Sequence, residues 1–204
     1  MSTSSQHHAD SDHESFEGKL LIAMPTISEG CFARSVVLMC AHSQEGAMGL
    51  IINQRADGIR FSDLLQQLDI IDDEPQMQTS QDLHCRAVHV GGPVETSRGF
   101  VLHTPDYFVS SSTVRVEQDI CLTSTLDILR AMSAGLGPKE ALLALGYSGW
   151  GPGQLESEFS HNGWLHCNAD PELVFDSDLD TKYERALSKL GVNPSHLVSD
   201  AGHA

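Results

Sequence analysis

Positive charge is scarce in this chain. Lys and Arg together number 12 in 204 residues, against 28 Asp and Glu, for a formal net charge of −16. The first seventeen residues hold Asp10, Asp12, Glu14 and Glu17 and no base, so most of the acidity belongs to the body of the chain. Nucleic-acid affinity comes largely from cations on phosphates. Here the basic residues are scattered, among them Arg34, Arg55, Arg60, Arg86, Arg98, Arg115 and Arg130, so direct binding to DNA or RNA is not expected. No CxxC pair occurs. The five cysteines (Cys31, Cys40, Cys85, Cys121, Cys167) are odd in number and widely spaced. Together with an N-terminus that lacks the charged-then-apolar order of a secretory signal, they read as reduced thiols in a cytoplasmic protein. No apolar run approaches the ~18 residues of a membrane helix, which removes the membrane as an expected partner. The GxxxxGK loop of nucleotide phosphates is missing as well. No cofactor and no metal are expected.

What is present is a series of short apolar runs separated by polar turns. Residues 1–17 are Ser-, His- and Asp-rich and read as a disordered tail. A single domain follows over 18–192, and 193–204 is a polar C-terminal tail. Lys19–Met24, Ser35–Ala41 and Ala47–Asn53 read as strands. The polar turn His42–Gly46 makes the last two a hairpin. Phe61, Leu64, Leu65 and Leu68 recur at helical spacing, with Ser62 as the N-cap. Residues 69–81 form a polar loop. Further strands fall at Ala87–Val90, Gly99–His103, Val114–Val116, Ile120–Leu122 and Trp164–Cys167. Ser124 caps a helix over Thr125–Ala134, closed by Gly135 and Gly137. Lys139–Leu145 has helix-forming Ala and Leu but the length of a strand, and we take it as a strand. Asp178–Leu190 reads as an amphipathic helix.

One stretch stands out, Leu145-Gly146-Tyr147-Ser148-Gly149-Trp150-Gly151-Pro152-Gly153-Gln154-Leu155-Glu156-Ser157-Glu158. Its glycines and Pro152 predict that the apolar run stops, turns sharply around Trp150 and restarts as a helix near Pro152. Ser148 fails the G-x-S-x-G nucleophile pattern, because Trp150 stands in the fifth place. A phosphate cradle at the helix start is opposed by Glu156 and Glu158 and by the missing amide of Pro152. Those two acids, two residues apart, point to different helix faces and fit the helix dipole better than a catalytic pair. The clusters His84, Cys85, His89 and His161, His166, Cys167 lack zinc-site spacing. Arg34 near Cys31 would favour a reactive thiolate, but a half-buried inert thiol is the better reading of the loop.

Several pieces occur in a fixed order: Gly18–Pro25, Phe32-x-Arg34-Ser35-Val36-Val37, His42, Gly46–Asn53, Gly91-Gly92-Pro93-Val94, Leu102-His103, the Gly146–Glu158 stretch, Asn162-x-Trp164-Leu165 and Leu173-Val174-Phe175. The ordered set resembles the YqgE/AlgH family of bacterial proteins from about Gly18 to Val192. That resemblance implies an α+β fold with a strongly bent, barrel-like sheet surrounded by helices. It brings no established enzyme activity, cofactor or catalytic residue. The family's name is tied to a proposed role in regulating alginate production, read as transcriptional control. With an acidic body, a protein partner or small-molecule signal is the expected route for such control.

The expected function is therefore a non-catalytic regulatory or interaction protein. If the turns converge, Arg34, His42, Asn53, Gly92, Trp150, Gln154 and Glu158 line one surface. The alternative is an enzyme acting on a small polar metabolite in that cleft, with His42 or Glu158 as acid or base.

Overall fold

The apolar runs become strands because the sheet they build is covered on both faces. A computed structural model describes residues 15–28, 30–71 and 87–193. Among these residues the strands are β1 (Lys19–Ala23), β2 (Val36–Ser43), β3 (Gly46–Ile51), β4 (Arg55–Arg60), β5 (Ala87–Val90), β6 (Val94–His103), β7 (Thr113–Glu117), β8 (Ile120–Thr123), β9 (Ala141–Trp150) and β10 (Trp164–Asn168). The helices are α1 (Phe61–Gln67), α2 (Leu126–Ser133), α3 (Gln154–Ser160), α4 (Pro171–Phe175) and α5 (Lys182–Lys189). The main path of the sheet runs β10-β1-β2-β3-β9-β6-β8-β7, and it curls into a half-barrel. The fold is α+β, as the resemblance implied.

Alternate residues of each strand feed different cores. Leu20, Ile22, Leu38 and Leu142 pack with Leu173, Val174, Tyr183 and Leu187 from α4 and α5. Leu21, Val37, Met39 and Ile51 face the other way, onto Trp150, Leu155 and Trp164. A third cluster lies where α1 and α2 cover Val88, Val101 and Leu143. Double coverage explains why these strands read as unbroken apolar runs rather than as alternating patterns. Each such side chain taken out of water contributes roughly 1.5–3 kcal/mol.

The sheet forks at β9. One edge of β9 pairs with β6 from Ala141 to Leu145 and again at Tyr147. Its other edge pairs in parallel with β5 at Leu143–Leu145, then antiparallel with β3 at Ser148–Trp150. Gly146, at φ 71°, lies at the change of neighbour. Gly91 fills the gap: its N–H donates to the Leu145 carbonyl at 2.8 Å, and its carbonyl accepts from the Ile51 N–H at 2.9 Å. The chain passes so close that a Cβ on Gly91 would stand 2.2 Å from the Gly146 oxygen, and one on Gly92 2.2 Å from the Tyr147 carbonyl carbon. The Gly91-Gly92 and Gly146 motifs are thus two sides of one contact.

Several boundaries differ from the sequence reading. His42 lies inside β2, opposite Ala47, and the hairpin loop is only Gln44-Glu45. The run read at Lys139–Leu145 is a strand from Ala141 onward, and it continues through Gly146 to Trp150 because β3 and β6 supply partners there. The turn is Gly151–Gly153, and α3 starts at Gln154. The cap of α1 is Arg60 rather than Ser62, with the Asp63 carboxylate accepting the Arg60 N–H at 3.2 Å. Thr125 rather than Ser124 precedes α2. The last helix begins at Lys182 rather than Asp178, because the Asp178 side chain ties Thr181 into a turn first. β4 and α4 have no counterpart in the sequence reading. Phe16, assigned there to the tail, packs on α3. Residues 72–81 of the expected loop and 194–204 of the C-terminal tail lie outside the described residues, as do His84 and Cys85. No helix among the described residues is long and apolar enough to cross a membrane.

Candidate functional site

Trp150 ends β9 and is buried against Trp164 of β10, with ring centroids 6.0 Å apart at 78°. Their two indole N–H groups converge on one carboxylate oxygen: Glu158 Oε2 accepts from Trp150 at 2.9 Å and from Trp164 at 2.7 Å. Glu158 Oε1 accepts from Gln154 Nε2 at 3.0 Å, and Gln154 Oε1 accepts the Gly151 N–H at 3.0 Å. The turn, the first turn of α3 and both tryptophans are therefore one hydrogen-bonded corner. Phe32 closes it, 6.0 Å from Trp150 and 5.7 Å from Trp164.

Glu156 points to the opposite side of α3, as the spacing required. Its Oε1 meets His42 Nε2 at 2.9 Å. His42 Nδ1 accepts the Phe16 N–H at 3.1 Å, so the ring proton sits on Nε2 and is donated to Glu156. Phe16 then stacks on Phe159 of α3, with centroids 4.4 Å apart. Both ring nitrogens of His42 and both oxygens of Glu158 are thus committed to neighbours. Neither residue stands as a free acid or base.

The seven residues singled out from sequence fall into groups. Trp150, Gln154 and Glu158 form one network, and His42 reaches the other face of the same helix. Asn53 belongs elsewhere: its Oδ1 accepts from the Val36 N–H at 2.8 Å and its Nδ2 donates to the Arg34 carbonyl at 2.9 Å. The Arg34 guanidinium turns onto α5, 4.6 Å above the Tyr183 ring and paired with Glu184. Gly92 is buried at the fork. Ser148 is buried too, with its hydroxyl donating to the Gly91 carbonyl at 3.2 Å. Sequence reasoning passed over Glu156, Trp164, Phe16 and Phe32 as site residues. The opposed faces of Glu156 and Glu158 were the available signal, since each face needs its own partner.

Beside the corner lies an open groove of about 400 Å³. Ala47, Met48, Phe100 and Tyr147 line it with apolar surface, and Glu45 and Arg98 add charge. Arg98 lies 5.1 Å over the Phe100 ring and pairs with Glu95 at 3.0 Å. Three thiols offer little reactivity: burial pushes Cys40 up to about 12, and burial likewise raises Cys121 and Cys167. Among the described residues no cluster of His, Cys, Asp or Glu fits a metal ion.

The AlgH-like family model matches residues 20–195, the span that contains the fork and the corner. The chain belongs to the AlgH-like family. A UPF0301 protein of Nitrobacter hamburgensis is 53% identical over 193 residues, covering 95% of this chain and 89% of that one. A UPF0301 protein of Rhodopseudomonas palustris is 54% identical over 188 residues, covering 92% and 88%. Among solved structures, the AlgH protein of Pseudomonas aeruginosa superposes over 100% of both chains with a TM-score of 0.73 and 37% identity. A Corynebacterium diphtheriae protein, 22% identical with a TM-score of 0.66 over 90% of both chains, shares the fold. The AlgH-like match thus spans both the half-barrel and the corner.

Proposed function

We propose that this AlgH-like chain is a non-catalytic regulatory or interaction protein of the cytoplasm, and that the groove beside the Trp150 corner is its docking surface for a protein partner. The observation that carries this reading is the allocation of polar atoms. Within the Gly146–Glu158 stretch, the Trp150 indole, the Gln154 amide, the Glu158 carboxylate and the Ser148 hydroxyl all bond to the chain itself. The stretch builds a rigid wall. The adjoining groove is shallow, with apolar contact area and a charged rim, which suits a protein surface better than an enclosed small substrate. Any effect on transcription then runs through that partner, since a net charge of −16 opposes a direct grip on DNA.

The test is affinity capture from the lysate of a bacterium that carries this protein, comparing wild type with Met48→Lys/Arg98→Glu. Both positions line the groove; because Met48 also packs against the core, the double variant's unfolding midpoint is measured alongside, and the comparison is made with folded protein. A partner held by wild type and reduced at least about tenfold by the double change is the expected result, a loss of about 1.4 kcal/mol. An identical set of retained proteins would overturn the groove as the docking surface.

A further inference from the structure

β9 carries the Trp150 corner at its end and a second cleft, of about 540 Å³, at its start. An extended strand of this length separates the two by at most about 30 Å. The cleft is bounded by β4, β5, the first residues of β9 and the link between α4 and α5. His89 lines it and is 6% exposed. Its Nδ1–H donates to the Leu143 carbonyl at 3.1 Å, which leaves the lone pair on Nε2. No group among the described residues hydrogen-bonds to that nitrogen. The ring lines the cleft, so Nε2 is an acceptor that a bound molecule can reach. Burial lowers the ring's pKa to about 4, against the Leu143 bond and with help from Lys182 and Arg55, so at neutral pH Nε2 is an acceptor only.

Arg55 is paired directly across from His89 in the β4–β5 register, which puts both side chains on one face. Its guanidinium makes no ion pair among the described residues, and neither does the Glu140 carboxylate on the cleft wall. Asp176 is already engaged, by Arg185 and by the Asp178 N–H at 2.8 Å. Phe175 and Leu179 supply an apolar wall. A simple anion here would meet Glu140 and Asp176, and a simple cation would meet Arg55. A zwitterion satisfies both signs.

We propose that this cleft binds a free α-amino acid, its carboxylate on Arg55, its ammonium group donating to His89 Nε2 and Glu140, and its side chain against Phe175 and Leu179. This site is separate from the docking groove, so the groove substitutions leave it unchanged. The test uses the full chain labelled with ¹⁵N at histidine. The His89 Nε2 resonance is followed while each of the common protein amino acids is titrated singly to about 10 mM, a range that detects millimolar affinity. At least one shifts the resonance saturably. The matching carboxylic acid without the amine, and the matching amine without the carboxylate, each bind about tenfold weaker or worse. Arg55→Gln, a change at an exposed position, weakens the amino acid about tenfold and leaves the unfolding midpoint in place. The proposal is overturned if no amino acid gives a saturable shift, or if either half-molecule binds as tightly as the whole.

Discussion

Glu158 is the residue on which the corner turns. A carboxylate that takes two indole N–H groups on one oxygen is a stronger acceptor than an amide, because ionic hydrogen bonds are roughly twice as strong as neutral ones. Glu158→Gln keeps an oxygen for the indoles but loses the charge, and it should cost about 1 kcal/mol. Glu158→Ala leaves two largely buried N–H groups unpaired and should cost about 2–3 kcal/mol. Urea unfolding followed by tryptophan fluorescence measures both. If Ala costs no more than Gln, the two indole bonds contribute nothing and the account of the corner fails. The sequence could place Trp150, Gln154 and Glu158 together, since helical spacing and a tight turn are local. It could not supply Trp164, which arrives from the next strand, nor Phe16 with His42, which meet Glu156 across 114 residues of chain separation between His42 and Glu156.

At the level of elements, the fork at β9 is the part of the fold with least freedom. Gly92→Ala would drive a methyl group into the Tyr147 carbonyl from 2.2 Å, with backbone atoms on both sides, so neither partner can swing away. The expected cost exceeds about 4 kcal/mol, in the range where a small domain unfolds. Gly30→Ala is the control: its φ of 75° is also left-handed, but its Cβ would meet nothing within 4 Å among the described residues, and about 1–2 kcal/mol is expected. Near-ultraviolet circular dichroism and urea midpoints distinguish the two, and equal costs would mean that close packing at the fork is not what requires Gly92. The apolar strands and four of the five helices were legible, because apolar spacing and the Pro152 start signal report them. β4 was not, since Arg-Ala-Asp-Gly-Ile-Arg is polar and forms a strand through its pairing with β5. α4 is only five residues long, yet Asp170-Pro171-Glu172 carries a readable start signal, with the Asp170 carboxylate accepting the Glu172 N–H at 3.0 Å.

For the whole molecule, a loss of stability in acid follows from histidines buried as neutral rings. His89, near pKa 4, and His103, also lowered chiefly by burial, take up protons less readily folded than unfolded. The unfolded chain binds those protons from about pH 6.5 downward, so their contribution to stability is complete above pH 6.5 and is lost as pH falls toward the folded value. For His89 the loss between pH 7 and pH 5 is on the order of 2 kcal/mol. Urea midpoints at the two pH values should fall further apart in wild type than in His89→Gln. An unchanged difference would show that His89 is not protected from protonation by the fold.

The sequence alone determined the family, the α+β class, the order of most strands and the acidity that opposes nucleic-acid binding. The acidity and the strands follow from composition and local periodicity; the family follows from motifs whose order survives without any coordinates, and the α+β class is what that resemblance implied. Only the tertiary structure decided how the Gly146–Glu158 stretch is partnered: a strand that runs on through Gly146 and changes neighbour at the fork, Glu158 shared by two indoles, and Glu156 meeting His42. The physical reason is the same in each case. A glycine that admits a passing backbone, a carboxylate shared by two indoles and a histidine with one nitrogen left over are defined by groups far away in the chain, and their meaning exists only once the sheet has closed around them.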